Sequence, residues 1–408
     1  MSPAELVAEH GSPLWLADVD RFGAALRGFA RAWRGAWPDT AVAYSYKTNR
    51  LLAFLRAAEA EGAGAEVVCE AEYRLASEIV GADPAAIVVD GPAKPESLLH
   101  RAGEDGALVL LDSGAELRRA ALAGVRRVGL RVSLPSFTGA TTRFGVPAEQ
   151  VAGHAEEAAA LGLSLEALST HLVSTDFQPG VGVPDRPGSS VVVSWPRPPG
   201  EHARAAATLA RLATDLRARG IEIRLLDLGG GFPPAPAVEA HAAAVGKAFE
   251  EAGYNGGLLL EPGRAAAADA VDLAFTVVAV KRLADGRRCL VCDAGTNLLP
   301  GAAWRAPRIE PARDVPGRRG PALVTGPLCQ NVDVVHPGAE LPELGPGEVL
   351  LARGVGAYQQ AAATQFGEPR PAVLGRERGR WRVVREAETV EDLVAPETRR
   401  ELVAASEA

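Results

Sequence analysis

The chain has 408 residues, 47% of them hydrophobic, and a formal charge of −8, enough for two domains or one large barrel with an appendage. The acidic balance, with no basic segment interleaved with aromatics, excludes a nucleic-acid partner from the expectation. No run approaches the apolar length that crosses a bilayer, and Met1-Ser2-Pro3-Ala4-Glu5 lacks a secretory signal's basic start, so a cytoplasmic protein with no membrane partner is expected.

In chain order, residues 13–18 read as a strand. From 41 to 264, short aliphatic runs alternate with helical patterns rich in Ala, Glu, Leu and Arg. The strand candidates are 41–47, 65–70, 86–90, 107–112, 127–134, 165–172, 223–228 and 257–261. Near-continuous apolar strands alternating with amphipathic helices predict a parallel sheet covered by helices. Eight such units fit an α/β (β/α)8 TIM barrel over 20–266 better than an open sheet, which would want a Gly-x-Gly-x-x-Gly turn after strand one. After Arg264 the helical period fades. Runs at 274–280, 288–292, 321–324, 348–352 and 381–384 predict a mostly antiparallel β domain over 267–408, with residues 1–19 joining it. The Pro/Gly/Ser-rich stretch 178–200 is one long loop after strand six.

Four cysteines, Cys69, Cys289, Cys292 and Cys329, are too few for a disulfide framework. Cys289-Leu290-Val291-Cys292 has the spacing of a zinc or redox pair, but in a strand residues three apart face opposite sides. A structural role is expected, and no metal site.

Only Lys47, Lys94, Lys247 and Lys281 are lysines among 43 basic residues. Unlike Arg, a Lys amine can deprotonate and attack a carbonyl. Lys47 ends the first barrel strand, at the face where such barrels gather their chemistry. The other strand ends carry His171 (strand six), Gly229, Gly230 and Gly231 (strand seven), and Glu261, Gly263 and Arg264 (strand eight). Consecutive glycines let backbone N–H groups cradle a phosphate, and an adjacent Arg can bind it bidentately. Glu261 beside that cradle calls for a cationic partner.

Taken in order, these motifs resemble those of the fold-type III pyridoxal-phosphate decarboxylases, the family of ornithine, arginine and diaminopimelate decarboxylases. Tyr44-Ser-Tyr-Lys47-Thr-Asn49 is similar to the family's Tyr-x-x-Lys-x-Asn, Thr170-His171-Leu-Val-Ser174 to its Phe-His-x-Gly-Ser, and Arg143-Phe144-Gly145 to its Lys/Arg-Phe-Gly. Asp293-Ala294-Gly295, Gly326-Pro327-Leu328-Cys329 and Gly356-Ala357-Tyr358 resemble its later motifs. The resemblance implies pyridoxal 5′-phosphate as cofactor, its aldehyde carried by Lys47, its ring stacked on His171 and its ring nitrogen paired with Glu261. Its phosphate would be held by Ser174, Gly229, Gly230, Gly231, Gly263, Arg264 and Tyr358. It also implies a homodimer with shared sites, in which Cys329 from the partner subunit protonates the product carbon. Alanine racemases share the barrel but place Arg at the ring nitrogen, so Glu261 favours decarboxylation. A non-catalytic cofactor-binding relative should have lost some of Lys47, Arg264, Cys329 and Tyr358, all present here.

The family has an acid directly after the cysteine for the distal ammonium of basic substrates; here Gln330 stands there. The family's substrate loop, downstream of Asp293, supplies Trp304, Arg305 and Arg308 rather than carboxylates. The expectation is therefore an amino acid or conjugate of a specialised biosynthetic pathway, with a tail that is not simply cationic; diaminopimelate or a basic amino acid is the alternative.

Overall fold

The computed structural model describes residues 1–134, 142–172, 175–177, 191–193 and 196–397. Two compact units emerge, Phe22–Ala266 and Met1–Arg21 with Ala267–Ala408.

The first unit is a closed barrel of eight parallel strands: Thr40–Ser45, Gly64–Val67, Ile87–Val89, Leu108–Leu111, Arg127–Ser133, Ser164–Ser169, Leu225–Asp227 and Gly257–Leu260. Each pairs with the next, and Leu258 opposite Thr40 closes the ring. All eight fall on the predicted runs, with trimmed ends. The short strand Val146–Pro147 pairs with strand five as an addition that sequence reading missed. Ala43, Val88, Leu108, Leu110, Ala167 and Leu259 fill the barrel interior as one cluster, the packed aliphatic layers that make such a barrel a core rather than a pore.

Outside, the helix Val19–Ala36 places Phe22, Leu26, Phe29 and Trp33 at four- and three-residue spacing on one buried stripe. Phe22 stacks on Phe54 at 4.3 Å and meets Tyr44 edge-on at 4.9 Å, while Trp33 meets Phe232 edge-on at 5.0 Å. The helical pattern predicted over 70–80 is α-helical over Glu70–Arg74 and widens to π-helix over Leu75–Val80. The predicted loop over 178–200 lies mostly outside the described residues. Within that stretch, and against the expectation of a single loop, Val191–Val193 is a strand that pairs antiparallel with Thr175–Phe177, and a helix begins at Pro199.

The second unit is a mostly antiparallel sheet. Its strands run in the order Val334–Leu341, Gly320–Thr325, Arg288–Cys292, Val271–Arg282, Leu14–Asp18, Val373–Glu377 and Arg380–Arg385, while Val349–Arg353 joins Val271–Arg282 to Arg308–Pro311. Leu14–Asp18 lies antiparallel to Val271–Arg282 and parallel to Val373–Glu377. An unpredicted helix, Pro3–His10, starts in a capping box between Ser2 and Glu5. It drops Leu6 into a cluster with Leu14, Leu16, Ala274, Leu351 and Leu374. Sequence reading missed Val334–Leu341 because His336-Pro337-Gly338 has the composition of a turn. The strand absorbs it with register shifts against Gly320–Thr325. Cys289 and Cys292 are buried in their strand as free thiols, and burial pushes the Cys292 thiol well above its usual range. Among the described residues no helix is long and apolar enough to cross a membrane.

Gly64 opens barrel strand two against the chain entering strand three: a Cβ there would lie 2.2 Å from the Ala86 carbonyl oxygen, whereas one on Gly153, in the helix Val151–Ala160, would meet nothing within 4 Å. Gly64→Ala is expected to cost about 1–3 kcal/mol through overpacking, and Gly153→Ala to gain about 0.5–1 kcal/mol from helix propensity. Urea-denaturation midpoints of the two variants should therefore move in opposite directions.

Candidate active site

Side chains alternate across a strand, so the residue two beyond an interior aliphatic also faces the barrel interior, nearer the carboxyl end. Val88 is followed at that spacing by Asp90, Leu110 by Asp112, Ala167 by Ser169, Leu225 by Asp227 and Leu259 by Glu261. Glu66 lies in register beside Val88. One end of the barrel interior is thus polar above an aliphatic base. Glu66, Asp90, Asp227 and Glu261 are buried there, with Arg131 among them.

Lys47 stands on the single turn Tyr46–Thr48 that follows strand one. The Tyr44 hydroxyl donates to the Asn49 carbonyl at 3.1 Å, and the Asn49 side chain accepts the Leu51 N–H at 3.0 Å, so the turn is braced on both sides. Lys47 Nζ donates to both oxygens of the fully buried Glu66, at 2.6 and 2.5 Å. The other lysines differ: Lys94 is sealed against Glu116 at 3.1 Å, and Lys247 and Lys281 are exposed.

Arg131 pairs with Asp90 at 3.1 Å and lies 4.7 Å from the centre of the Phe144 ring. Burial opposes ionisation of Asp90, but the Arg131, Lys47 and Lys94 charges outweigh it and hold the carboxyl below its usual range. For Asp227 and Glu261 burial wins: the Lys47 charge acts on Glu261 without offsetting it. Burial raises Asp227 to about 7. Burial first, then the neighbouring Asp227, Glu66 and Asp90, raises Glu261 well above the carboxylate range. One Glu261 oxygen is buried with no hydrogen-bond partner, and the other lies 4.0 Å from His171 Nδ1. Burial, then the Arg131 and Lys47 charges, lowers His171 to about 3, so its imidazole is neutral. His171 Nδ1 accepts the Gly230 N–H at 3.1 Å, which puts the ring proton on Nε2.

The turn after strand seven can only be glycine. A Cβ on Gly229 would fall 2.5 Å from His171 Nδ1, and one on Gly230 2.7 Å from the Glu261 carbonyl oxygen. Gly231 has φ +86°, which L side chains rarely adopt. Asp227 accepts the Gly229 N–H at 2.8 Å, and the Glu261 N–H donates to the Gly229 carbonyl at 2.8 Å. A Cβ on Gly263 would lie 2.0 Å from Thr48 Oγ1, so strand eight's exit and the Lys47 turn touch backbone to side chain, with Arg264 opening the next short helix.

These residues fit pyridoxal 5′-phosphate. A lysine amine, a neutral imidazole, a glycine turn and an unpartnered buried carboxyl are the groups that an aldehyde, a ring face, a phosphate and a protonated ring nitrogen would each require. Glu66, Asp90 and Glu261 also bring one oxygen each within 4.8 Å of one another, but Lys47 and Arg131 already pair with two of these acids.

In the second unit, Cys329 and Gln330 are exposed on a loop closed by Asp333, whose carboxylate accepts the Leu328 N–H at 2.8 Å and the Thr296 N–H at 2.7 Å. Tyr358 has a positive φ of +66°, one of two such non-glycine residues among the described residues. Trp304 and Arg305 are exposed on the loop as read. Arg308 is not in that loop: it begins the strand Arg308–Pro311 and pairs with Glu310 at 3.0 Å. Ser174 lies outside the described residues.

Sequence reasoning missed Glu66, Asp90 and Arg131 and gave Asp227 no role. The signal was there in the two-residue spacing from each interior aliphatic to a charge at the strand end.

The family described as "Pyridoxal-dependent decarboxylase, pyridoxal binding domain" matches residues 24–180. The chain is 30% identical to diaminopimelate decarboxylase of Methanothermobacter thermautotrophicus over 96% of its own length and 92% of the relative's. It is also 30% identical to that of Deinococcus radiodurans, over 95% and 96%. Its fold is similar to the crystal structure of diaminopimelate decarboxylase from Helicobacter pylori complexed with L-lysine, with a TM-score of 0.83, 24% identity and coverage of 97% and 99%. It is also similar to the Paramecium bursaria Chlorella virus arginine decarboxylase, with a TM-score of 0.76, 20% identity and coverage of 89% and 95%. The chain therefore belongs to the fold-type III pyridoxal-phosphate-dependent decarboxylases and is a carboxy-lyase that uses this cofactor.

Proposed function

We propose that the chain decarboxylates diaminopimelate or a close analogue, working as a homodimer. The observation that carries the substrate reading is the near full-length likeness to diaminopimelate decarboxylases. It moves weight from the specialised substrate expected from the sequence to the alternative. The second reading keeps one specific support: Gln330 after Cys329, where the family has an acid. An ammonium tail buried beside a neutral amide loses solvation that the amide does not fully replace.

When bound, the cofactor supplies an electron sink for the pair left behind as CO2 departs. Lys47 would hold the cofactor aldehyde, and Glu66 is placed to accept hydrogen bonds from its amine when that is free. Glu261 keeps the proton on the ring nitrogen: its carboxyl resists ionisation until a cation is beside it, and a protonated ring is that cation. His171 lies against the ring as a neutral surface. Gly229, Gly230, Gly231, Gly263 and Arg264 would hold the phosphate; for Ser174 and Tyr358 that role rests on the resemblance of their motifs alone. Cys329 of the partner subunit delivers a proton to the reacting carbon as general acid.

Lys47→Ala is expected to remove both the visible absorbance of lysine-bound cofactor and turnover; retained absorbance would move the attachment to another lysine. Cys329→Ala should bind cofactor normally and lose most turnover. Mixing the two inactive variants should restore part of the activity, and no recovery in verified mixed dimers would overturn the shared site. In a CO2-release panel, diaminopimelate should be turned over faster than ornithine or lysine. A dead diaminopimelate assay beside brisk turnover of an amino acid with a neutral or carboxylate tail would transfer the assignment to the second reading.

A further inference from the structure

His202 has no part in the chemistry above, yet its position is hard to account for by packing alone. It lies in the first turns of the helix Pro199–Ala218 and is fully buried. Neither ring nitrogen has a hydrogen-bond partner. The ring stacks on Phe232 at 4.1 Å, and His241 meets it edge-on at 5.2 Å. His241 donates its Nε2 N–H to the Arg197 carbonyl at 2.8 Å, while its Nδ1 is buried without making a hydrogen bond to His202. Burial, followed by the charges of His241 and His171, keeps the His202 imidazole neutral, with one N–H donor and one acceptor nitrogen. Two orphaned nitrogens in a dry site cost folding free energy that a phenyl ring in the same place would not.

The ring lies behind the glycine turn. A Cβ on Gly231 would come 4.0 Å from His202 Nε2, whereas Cβ atoms on Gly229 and Gly230 would meet His171. One histidine therefore flanks each side of the turn. Next to His202 are the backbone groups of Pro198 and Gly230, too far or too poorly aligned to satisfy the ring. Among the described residues, the Gly231 N–H has no acceptor. A trans peptide is planar, with its C=O and N–H pointing opposite ways. A donor that takes the Gly230 carbonyl from behind thus fixes the Gly231 N–H towards the front of the turn.

We propose that His202 is a positioning residue for the phosphate-binding turn: when an anion occupies the turn, the His202 N–H closes on the Gly230 carbonyl and locks the Gly231 N–H towards the phosphate. This rests on the reading that the glycine turn holds the cofactor phosphate.

The test compares full-length wild type, His202→Phe, His202→Gln and His202→Ala, each stripped of cofactor, by equilibrium dialysis with pyridoxal 5′-phosphate and with pyridoxal, which lacks the phosphate. Melting midpoints are measured without ligand. His202→Phe should melt about 2–4 °C higher, having removed the orphaned nitrogens, yet bind pyridoxal 5′-phosphate about tenfold more weakly, the loss of one hydrogen bond to a charged system. Its affinity for pyridoxal should be unchanged. His202→Gln keeps a donor and should bind pyridoxal 5′-phosphate more tightly than His202→Ala. Equal losses for both ligands, or no loss for either, would reduce His202 to a packing residue and overturn the proposal. If His202→Phe fails to fold, the comparison of Gln with Ala decides: equal affinities overturn it. Wild type that binds the two ligands equally well would instead sink the underlying phosphate assignment.

Discussion

The constraint on which the barrel's chemistry depends is the burial of four carboxyl groups, of which two, Glu66 and Asp90, are each paired with a cation. Glu66 takes Lys47 and Asp90 takes Arg131. Each pair is neutral as a unit, and that is the condition under which charges survive in a low-dielectric interior. Asp227 and Glu261 are left over, and burial pushes both away from ionisation. Asp227 spends its acceptor capacity on the Gly229 N–H and so shapes the glycine turn. Glu261 keeps an unpartnered oxygen. The barrel carries this unsatisfied acid above an aliphatic base that supplies the compensating stability, a pattern found where local strain serves a site. A protonated ring nitrogen converts the liability into an ion pair.

Much of this was legible in the sequence, and for identifiable reasons. The eight strands were visible because a strand covered on both faces must be apolar along its length, and runs such as Leu108–Leu111 and Gly257–Leu260 are. Lys47 stood out because lysine is so rare here. The strand-end glycines and Glu261 could be read because strand ends can be located from pattern. Glu66 and Arg131 could not, because a charge inside a predicted strand reads as a solvent-facing position. Only register, which sets Glu66 beside Val88, shows that it faces inward. His202 gave still less signal, since a histidine on an Ala-rich helix is unremarkable until the helix is docked. In the second unit Pro and Gly within Val334–Leu341 hid a strand, and Arg308 was drawn into a loop that ends before it.

The cysteine loop illustrates how a short polar motif becomes rigid. Asp333 is buried, and its two oxygens accept N–H groups from Leu328 and from Thr296. A Cβ on Gly295 would lie 2.4 Å from one of those oxygens, and one on Gly326 2.5 Å from the other. Both glycines are therefore demanded by close approach to a carboxylate rather than by backbone conformation. The loop that presents Cys329 and Gln330 is thus tied at its base to the turn after Asp293, while its tip stays exposed.

The same accounting bears on how a carboxylate would be lost. On the proposed function, Lys47 and Arg131 each face an acid, and a substrate carboxylate that met no further cation would bring an uncompensated charge, whose burial is costly. CO2 carries no charge. Departure of the carboxyl as CO2 removes that penalty, so the environment favours the products over the bound reactant. The electron pair left behind would be the remaining charge to place; the bound cofactor would supply the sink for it, and Glu261 is the residue proposed to hold the proton of its ring nitrogen. A site with a spare arginine near the carboxylate would stabilise the reactant instead. On the proposed function, the pairing of Lys47 with Glu66 and of Arg131 with Asp90 would therefore bear on decarboxylation alongside the attachment of the cofactor.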